Sequence, residues 1–198
     1  MKVAIIKYNA GNIQSVNFAL QRLGVEADIT ANPEDIRHAD KVIFPGVGEA
    51  SSTMSYLRQS GLDKVIRELK QPVLGICLGL QLMCGYSEEG DTECLGIFNE
   101  KVFRFQHPSS SVAWKVPHMG WNTLGEVRGP LFSREMEGSY LYFVHSFYAE
   151  IGPDTAAVTD YILPFSSALQ RDNFYATQFH PEKSGAIGSA VLQKFLSL

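Results

Sequence analysis

Cys77 is the residue whose type and setting best suit covalent chemistry in this chain. It stands in the stretch GICLGLQ, between Gly75 and Gly79. A thiolate is a nucleophile, and the unpaired N–H groups at the start of a helix favour the thiolate over the thiol. Small neighbours also suit the sharp strand-to-helix turn that presents such a nucleophile. On this stretch alone, a buried cysteine without chemical function remains the alternative.

A nucleophilic thiol needs a base, and the stretch QFHPEKS contains a histidine followed by a carboxylate. His180 and Glu182 are two residues apart, so on an extended chain their side chains project to the same side. Pro181 between them favours that extended conformation. A carboxylate beside an imidazole fixes the tautomer of the ring and stabilises its charged form. The alternative is a His and a Glu that end a strand and face solvent.

The glycine-rich stretch PGVG directly follows the apolar run KVIF. Backbone N–H groups exposed at the end of a strand can stabilise the oxyanion of a tetrahedral intermediate. We expect Val47 or Gly48, together with the N–H of Leu78, to form such an oxyanion hole. A tight turn without catalytic importance is the alternative for this loop.

The elements that must position these residues alternate between strand and helix in the first half of the chain. Apolar, β-branched runs predict strands at residues 2–8, 25–30, 41–46 and 72–77, and apolar residues at helical spacing predict helices at 12–24, about 49–69 and 78–84. Strands separated by helices imply a mostly parallel sheet with helices on both faces.

The second half is aromatic and β-branched, with frequent Gly, Pro, Asn and Asp. It predicts a strand-rich, mixed portion with a helix at the end of the chain and a loop at HPSSS. The predicted strands are 101–105, 139–150, 155–162, 166–172 and 173–180, and the helix is 184–198. We therefore expect one α/β domain over residues 1–198, with an open, mostly parallel sheet flanked by helices and a mixed C-terminal half.

Composition narrows the class of protein further. The net charge is −4 and the sequence has no basic stripe, which argues against nucleic-acid binding. No apolar run is long enough for a membrane helix. Three cysteines cannot all pair, and they lack the spacing of zinc ligands, so we expect neither a disulfide framework nor a metal site. Unpaired thiols and the absence of a signal-peptide pattern predict a cytoplasmic protein.

Together, PGVG, GICLGLQ and QFHPEKS resemble the signature of the class I, triad-type glutamine amidotransferases, in that family's order and over essentially the whole chain. The resemblance implies a flavodoxin-like fold and an enzyme that needs no cofactor. It implies that Cys77 is the nucleophile, His180 the general base and acid, and Glu182 the residue that orients the imidazole. Attack on the side-chain amide of L-glutamine would give a glutamyl thioester and release ammonia.

The same resemblance implies the residues that hold glutamine. They are Gly46, Gly48, Gln81, Glu89 in the YSEEG stretch, and the backbone of Ser146 and Phe147.

Within the family, the stretches YNAGN, PHMGWN and YFVHS resemble the branch that serves imidazole glycerol phosphate synthesis in bacterial histidine biosynthesis. Subunits of that branch form a heterodimer with a TIM-barrel cyclase and hand ammonia to it. The resemblance implies an interface that contains Asn12, Trp121, Tyr142 and Lys183. Core packing is the alternative for Trp121 and Tyr142.

Three further interpretations keep parts of this pattern. The triad could serve another acceptor, in an anthranilate, guanylate or pyridoxal phosphate synthase. The chain could be a catalytically inactive binding protein on the same scaffold, although the intact triad argues against this. A thiol hydrolase or chaperone with a related cysteine turn would give no reason for Gln81 or for the pairing of His180 with Glu182.

Overall fold

The structure is a computed structural model that describes residues 1–8, 12–106 and 114–198. Part of the YNAGN stretch and the predicted loop HPSSS lie outside the described residues.

The helices are α1 (Ile13–Arg22), α2 (Pro33–Arg37), α3 (Ala50–Ser60), α4 (Leu62–Glu68), α5 (Leu78–Met83) and α6 (Gly185–Leu196). The strands are β1 (Val3–Ile6), β2 (Ala27–Thr30), β3 (Lys41–Phe44), β4 (Val73–Ile76), β5 (Tyr86–Ser87), β6 (Thr92–Glu93), β7 (Lys101–Arg104), β8 (His118–Thr123), β9 (Tyr140–His145), β10 (Phe147–Ala149), β11 (Thr155–Tyr161), β12 (Leu163–Arg171) and β13 (Phe174–Thr177).

One large sheet organises the chain, in the order β2-β1-β3-β4-β13-β12-β10-β7-β5-β6, with β11 paired to β12. The strands from β2 to β13 run parallel to one another, and the pairs from β13 to β7 are antiparallel. A separate antiparallel pair, β8–β9, carries the PHMGWN and YFVHS stretches. The predicted open, mostly parallel sheet with a mixed C-terminal half is confirmed.

Helices cover both faces of the parallel part, because successive side chains of a buried strand point to opposite sides. In β1, Ala4 and Ile6 face the apolar cluster that contains the buried residues of α2, α3, α4 and α5. Val3 and Ile5 face the opposite cluster, which contains those of α1 and α6. No helix in the described ranges is both long and apolar enough to cross a membrane.

Two predicted elements are wrong in detail. The helix predicted over about 49–69 is two helices, because Gly61 takes a left-handed conformation (φ 73°) that ends α3 and begins α4. The strand predicted over 139–150 breaks at Ser146, and its halves β9 and β10 belong to different sheets. The sequence prediction also omitted the short helix α2 and the strands β5, β6 and β8.

Helix α5 lies unusually close to the sheet at two glycines. A Cβ atom on Gly79 would overlap the carbonyl oxygen of Phe44 in β3, and one on Gly75 would lie 2.8 Å from Met83 Sδ and 3.0 Å from the backbone of Gly79. These glycines let the turn at Cys77 sit directly against the ends of the strands.

Gly79→Ala is therefore expected to destabilise the fold by about 2 kcal/mol, because a backbone oxygen cannot move aside as a flexible side chain does. Urea unfolding of the purified chain measures this change. Gly125→Ala is the matched control, since its added Cβ would meet only an ordinary contact at 3.6 Å and should change stability by less than about 0.5 kcal/mol. Equal effects of the two substitutions would contradict the close approach of α5.

Candidate active site

Cys77 lies at the end of β4, on the turn into α5, in a backbone conformation that non-glycine residues rarely adopt (φ 55°, ψ −106°). Its N–H donates to the carbonyl oxygen of Thr177 at 2.7 Å, which joins the turn to the end of the neighbouring strand β13. The side chain is only 6% exposed. A strained turn on a buried strand end fixes the direction of the sulfur.

His180 follows β13 closely and is therefore carried to the same edge of the sheet as Cys77. Its Nδ1 lies 2.7 Å from Glu182 Oε1, and both side chains are fully buried. The predicted extended conformation between them is wrong: Pro181–Lys183 form a 3-10 turn, with Pro181 as its first residue. A proline fits that position because its missing N–H would have no partner there. The turn brings imidazole and carboxylate together by a different route from the one predicted.

The charges around His180 favour its protonated form. Burial alone would lower the pKa of His180, but the negative charge of Cys77 and the hydrogen bond to Glu182 outweigh it and raise the pKa to about 10. Because Glu182 engages Nδ1, Nε2 is the remaining ring nitrogen, and it is buried without a hydrogen-bond partner among the described residues. The arrangement favours a protonated imidazole beside the Cys77 sulfur.

Asn12 also contacts the charged pair. Its side-chain amide donates to Glu182 Oε1 and lies 3.3 Å from His180 Nδ1. The structure thus places this predicted interface residue beside the triad, at the start of α1. Its amide helps to hold the carboxylate against the imidazole.

A cavity of about 320 Å³ opens beside the Cys77 sulfur. Its lining includes the predicted residues Val47, Gly48, Cys77, Leu78, Gln81, Glu89, Ser146 and Phe147, together with Pro117, Val144 and His145. Gly46 is not part of this lining; it is buried, and a Cβ there would lie 2.5 Å from Tyr8 Oη and 2.8 Å from Leu78 Cβ. Burial raises the pKa of Glu89, whose carboxylate accepts the N–H of Ala50 at 2.8 Å.

Gln81 is linked to the Cys77 sulfur by Gln178, a residue that was not predicted from the sequence. Its amide nitrogen donates to the carbonyl of Phe147 and to the side-chain oxygen of Gln178, each at 3.0 Å. Gln178 in turn places its amide nitrogen 3.6 Å from Cys77 Sγ. Gln178 lies two residues before His180 in QFHPEKS, and this position could have indicated that it belongs to the site.

One expected donor of the oxyanion hole is engaged elsewhere in this conformation. The N–H of Leu78 donates to the carbonyl oxygen of Gly46 at 3.3 Å and therefore does not point freely into the cavity. The buried Tyr8 hydroxyl donates to the carbonyl of Pro45 and so fixes the same loop. Burial and the charge of Cys77 raise the pKa of Tyr8 well above its ordinary value, which keeps this hydroxyl a donor.

The other predicted interface residues share one side of the molecule near the triad. Trp121 and Tyr142 are paired across β8 and β9, with ring centroids 6.0 Å apart, and Trp121 is 55% exposed. Trp121 is therefore not a core residue, so the core-packing alternative is wrong for it. The carbonyl of Tyr142 accepts the N–H of His180 at 2.9 Å, and the exposed Lys183 directly follows Glu182.

The described parts of the chain contain no group of three or more His, Cys, Asp or Glu side chains that could hold a metal ion.

Comparisons with known proteins identify the family of this chain. Residues 4–197 match the family model of class-I glutamine amidotransferases. The chain is 60% identical over 198 residues to the imidazole glycerol phosphate synthase subunit HisH of Bacteroides fragilis strain YCH46, with 100% of both chains covered. It is 46% identical to the subunit HisH of Pasteurella multocida, over 98% of this chain and 96% of that one.

The fold is also similar to the crystal structure of a glutamine amidotransferase from Thermotoga maritima. The TM-score is 0.64 at 16% identity, and the match covers 100% of this chain and 81% of that one. The family-model match and the full-length identities show that the chain belongs to the class-I glutamine amidotransferase family, in the group of imidazole glycerol phosphate synthase HisH subunits.

Proposed function

We propose that this chain is the glutaminase subunit of an imidazole glycerol phosphate synthase, which hydrolyses L-glutamine to glutamate and ammonia for histidine biosynthesis. The observation that carries the proposal is the buried His180–Glu182 pair at 2.7 Å, which lies next to Cys77. Cys77 lines the cavity, whereas His180 and Glu182 are not part of its lining. Full-length identity to HisH subunits supports this choice of pathway.

The first half of the reaction would use the thiolate and the imidazolium together. The Cys77 sulfur attacks the carbon of the glutamine side-chain amide and forms a tetrahedral oxyanion. His180 then gives its proton to the amide nitrogen as the C–N bond breaks, so ammonia leaves and a glutamyl thioester remains. The raised pKa of His180 favours the imidazolium, so His180 holds the proton that the leaving nitrogen needs.

The second half would reverse these roles. The neutral His180 takes a proton from water, whose oxygen attacks the thioester carbon. The C–S bond breaks, glutamate leaves, and the thiolate–imidazolium pair is restored. Throughout both halves Glu182 holds Nδ1, which leaves Nε2 as the atom that exchanges protons.

We propose a TIM-barrel cyclase as the partner in a heterodimer, bound over the side that carries Trp121, Tyr142 and Lys183. Ammonia in water near neutral pH is mostly protonated and no longer nucleophilic, so a sealed passage to the partner would preserve its reactivity. We further propose that residues 1–198 form one domain and that the chain works in the cytoplasm, where its three buried free thiols would stay reduced.

The conformation of the PGVG loop supports control by that partner. Leu78 cannot stabilise an oxyanion while its N–H donates to the carbonyl of Gly46. A backbone change at Gly46 and Gly48 would release this N–H, and the partner would have to favour that second state.

A glutaminase that serves an anthranilate, guanylate or pyridoxal phosphate synthase is the second candidate. The triad and the cavity would serve equally well there, and structures below 25% identity show only the shared fold. Co-purification with a cyclase of the (βα)₈ type supports the first candidate, and capture of another synthase supports the second.

Cys77→Ala is expected to abolish glutamine-dependent synthesis by the heterodimer, because no thioester can form, while synthesis with added ammonium salt continues. Glu182→Gln should reduce the glutamine-dependent rate less severely, since it removes orientation and charge rather than the nucleophile. Product formation is measured with each nitrogen source in turn.

Cys94→Ala is the matched control, because it removes another buried thiol that lies outside the cavity lining. It should retain both activities. Loss of both activities in Cys77→Ala would contradict the proposed division of labour between the two subunits.

Tyr8→Phe should raise glutamine hydrolysis by the isolated chain about tenfold, because a buried carbonyl left without its donor destabilises the closed loop by about 1–2 kcal/mol. Tyr56→Phe is the control, and initial glutamate release is the measurement. An unchanged or lower rate in Tyr8→Phe would contradict the role of this hydroxyl. Equal wild-type rates in the isolated chain and the nucleotide-stimulated heterodimer would contradict loop control altogether.

A further inference from the structure

Two buried histidines that the proposed reaction does not use lie beside the cavity, and one of them, His145, is part of its lining. His118 in β8 and His145 in β9 are opposite one another in the hairpin, and they are 3% and 6% exposed. His118 Nδ1 lies 3.0 Å from His145 Nε2. A histidine pair in such a place needs an arrangement of protons that satisfies every ring nitrogen.

The neighbouring groups determine that arrangement. His145 Nδ1 lies 2.7 Å from the carbonyl oxygen of Phe147, which only accepts, so Nδ1 carries the proton. In the neutral ring, Nε2 then accepts a hydrogen bond from His118 Nδ1. His118 Nε2 accepts in turn from the side-chain amide of Asn122 at 3.3 Å, and that amide also donates to the carbonyl of Asp160 at 2.9 Å.

The surroundings keep both rings neutral. His118 is stacked between Phe143 and Tyr161, with ring centroids at 5.0 and 3.9 Å, and His145 packs against Phe105 and Phe165. Burial lowers the pKa of His118 to about 4, and burial, with the charge of His180 as a smaller cause, lowers that of His145 to about 3. At neutral pH the chain of hydrogen bonds therefore has a single direction, from Asn122 towards Phe147.

This chain of bonds ends on the wall of the cavity. The Phe147 carbonyl receives one bond from His145 Nδ1 and another from the Gln81 amide, so its two lone pairs are both engaged. Gln81 is also bonded to Gln178, whose amide lies beside the Cys77 sulfur. Movement of His145 would therefore displace both the wall of the cavity and the amides next to the nucleophile.

We propose that His118 and His145 are positioning residues that hold the Phe147 carbonyl and Gln81 in the geometry that binds glutamine. Their hydrogen bonds lead to the Phe147 carbonyl and not to the Cys77 sulfur, so we expect them to act on the affinity for glutamine more than on the chemical steps. Because this inference rests on the proposed glutaminase activity, its test must separate a failure of that activity from a failure of the two histidines.

The experiment uses the heterodimer with the cyclase and compares His118→Leu with His118→Asn. Leucine removes the donor to His145, whereas the asparagine amide nitrogen occupies nearly the position of Nδ1 and restores it. His118→Leu should raise the KM for glutamine about tenfold and change kcat less than about threefold, and His118→Asn should recover most of the KM. His38→Leu, at an exposed histidine, is the matched control.

The rates at which two reagents alkylate Cys77 provide a second readout, because a loss of structure would change both rates and a loss of glutamine affinity only one. The glutamine analogue 6-diazo-5-oxo-L-norleucine must occupy the cavity before it reacts with Cys77, whereas iodoacetamide reacts with the thiolate directly. In His118→Leu the rate of alkylation by the glutamine analogue should fall about tenfold at low reagent concentration. The rate of alkylation by iodoacetamide should stay within about twofold of wild type.

If His118→Leu does not fold, Asn122→Ala replaces it, because it removes the donor to His118 Nε2 and should raise KM about threefold. An unchanged KM in the folded variant overturns the inference, as does an equal fall in both alkylation rates. A wild-type heterodimer that does not hydrolyse glutamine would instead overturn the proposed function.

Discussion

The buried pairing of the His180 imidazole with the Glu182 carboxylate, beside the Cys77 sulfur, is the interaction on which the site depends. The His180 imidazolium lies beside the Glu182 carboxylate and in the field of the Cys77 sulfur, in surroundings that disfavour any one of these charges alone. Removal of Glu182 would leave the protonated imidazole without its buried counter-charge. The Asn12 amide contributes by bonding the same carboxylate. The reactive state of the thiol is therefore a property of the whole group.

The fold brings these groups together by placing two distant segments on adjacent strands. Ile76 in β4 pairs with Thr177 in β13, and the N–H of Cys77 continues the ladder to the Thr177 carbonyl. Parallel strands end at the same edge of a sheet, so the thiol turn and the histidine meet there. Gly75 and Gly79 allow α5 to pack closely enough to complete this corner. The mixed half adds Pro117, the end of β9 and the start of β10 to the cavity wall.

The sequence predicted the parts that depend on local pattern and short motifs. Alternation of apolar strands and helices gave the sheet, and the surroundings of Cys77 and His180 gave the candidate triad. It could not predict features set by long-range contacts, such as the Leu78 N–H bonded to Gly46 or Tyr8 against Pro45. The turn at Pro181–Lys183 was missed because a proline fits both an extended chain and the start of a helix. The direction of the hydrogen bond between His118 and His145 follows only from contacts across the hairpin.

The titration of His180 tests the central claim most directly. Nuclear magnetic resonance of ring-labelled histidine in the isolated chain, assigned with His180→Gln, reports its protonation from pH 5 upwards. We predict that His180 stays protonated until its pKa of about 10, and that it titrates at lower pH in Glu182→Gln, because the substitution removes a negative charge and an acceptor. Titration of His180 near the ordinary histidine pKa of about 6.5 in both proteins would contradict the account.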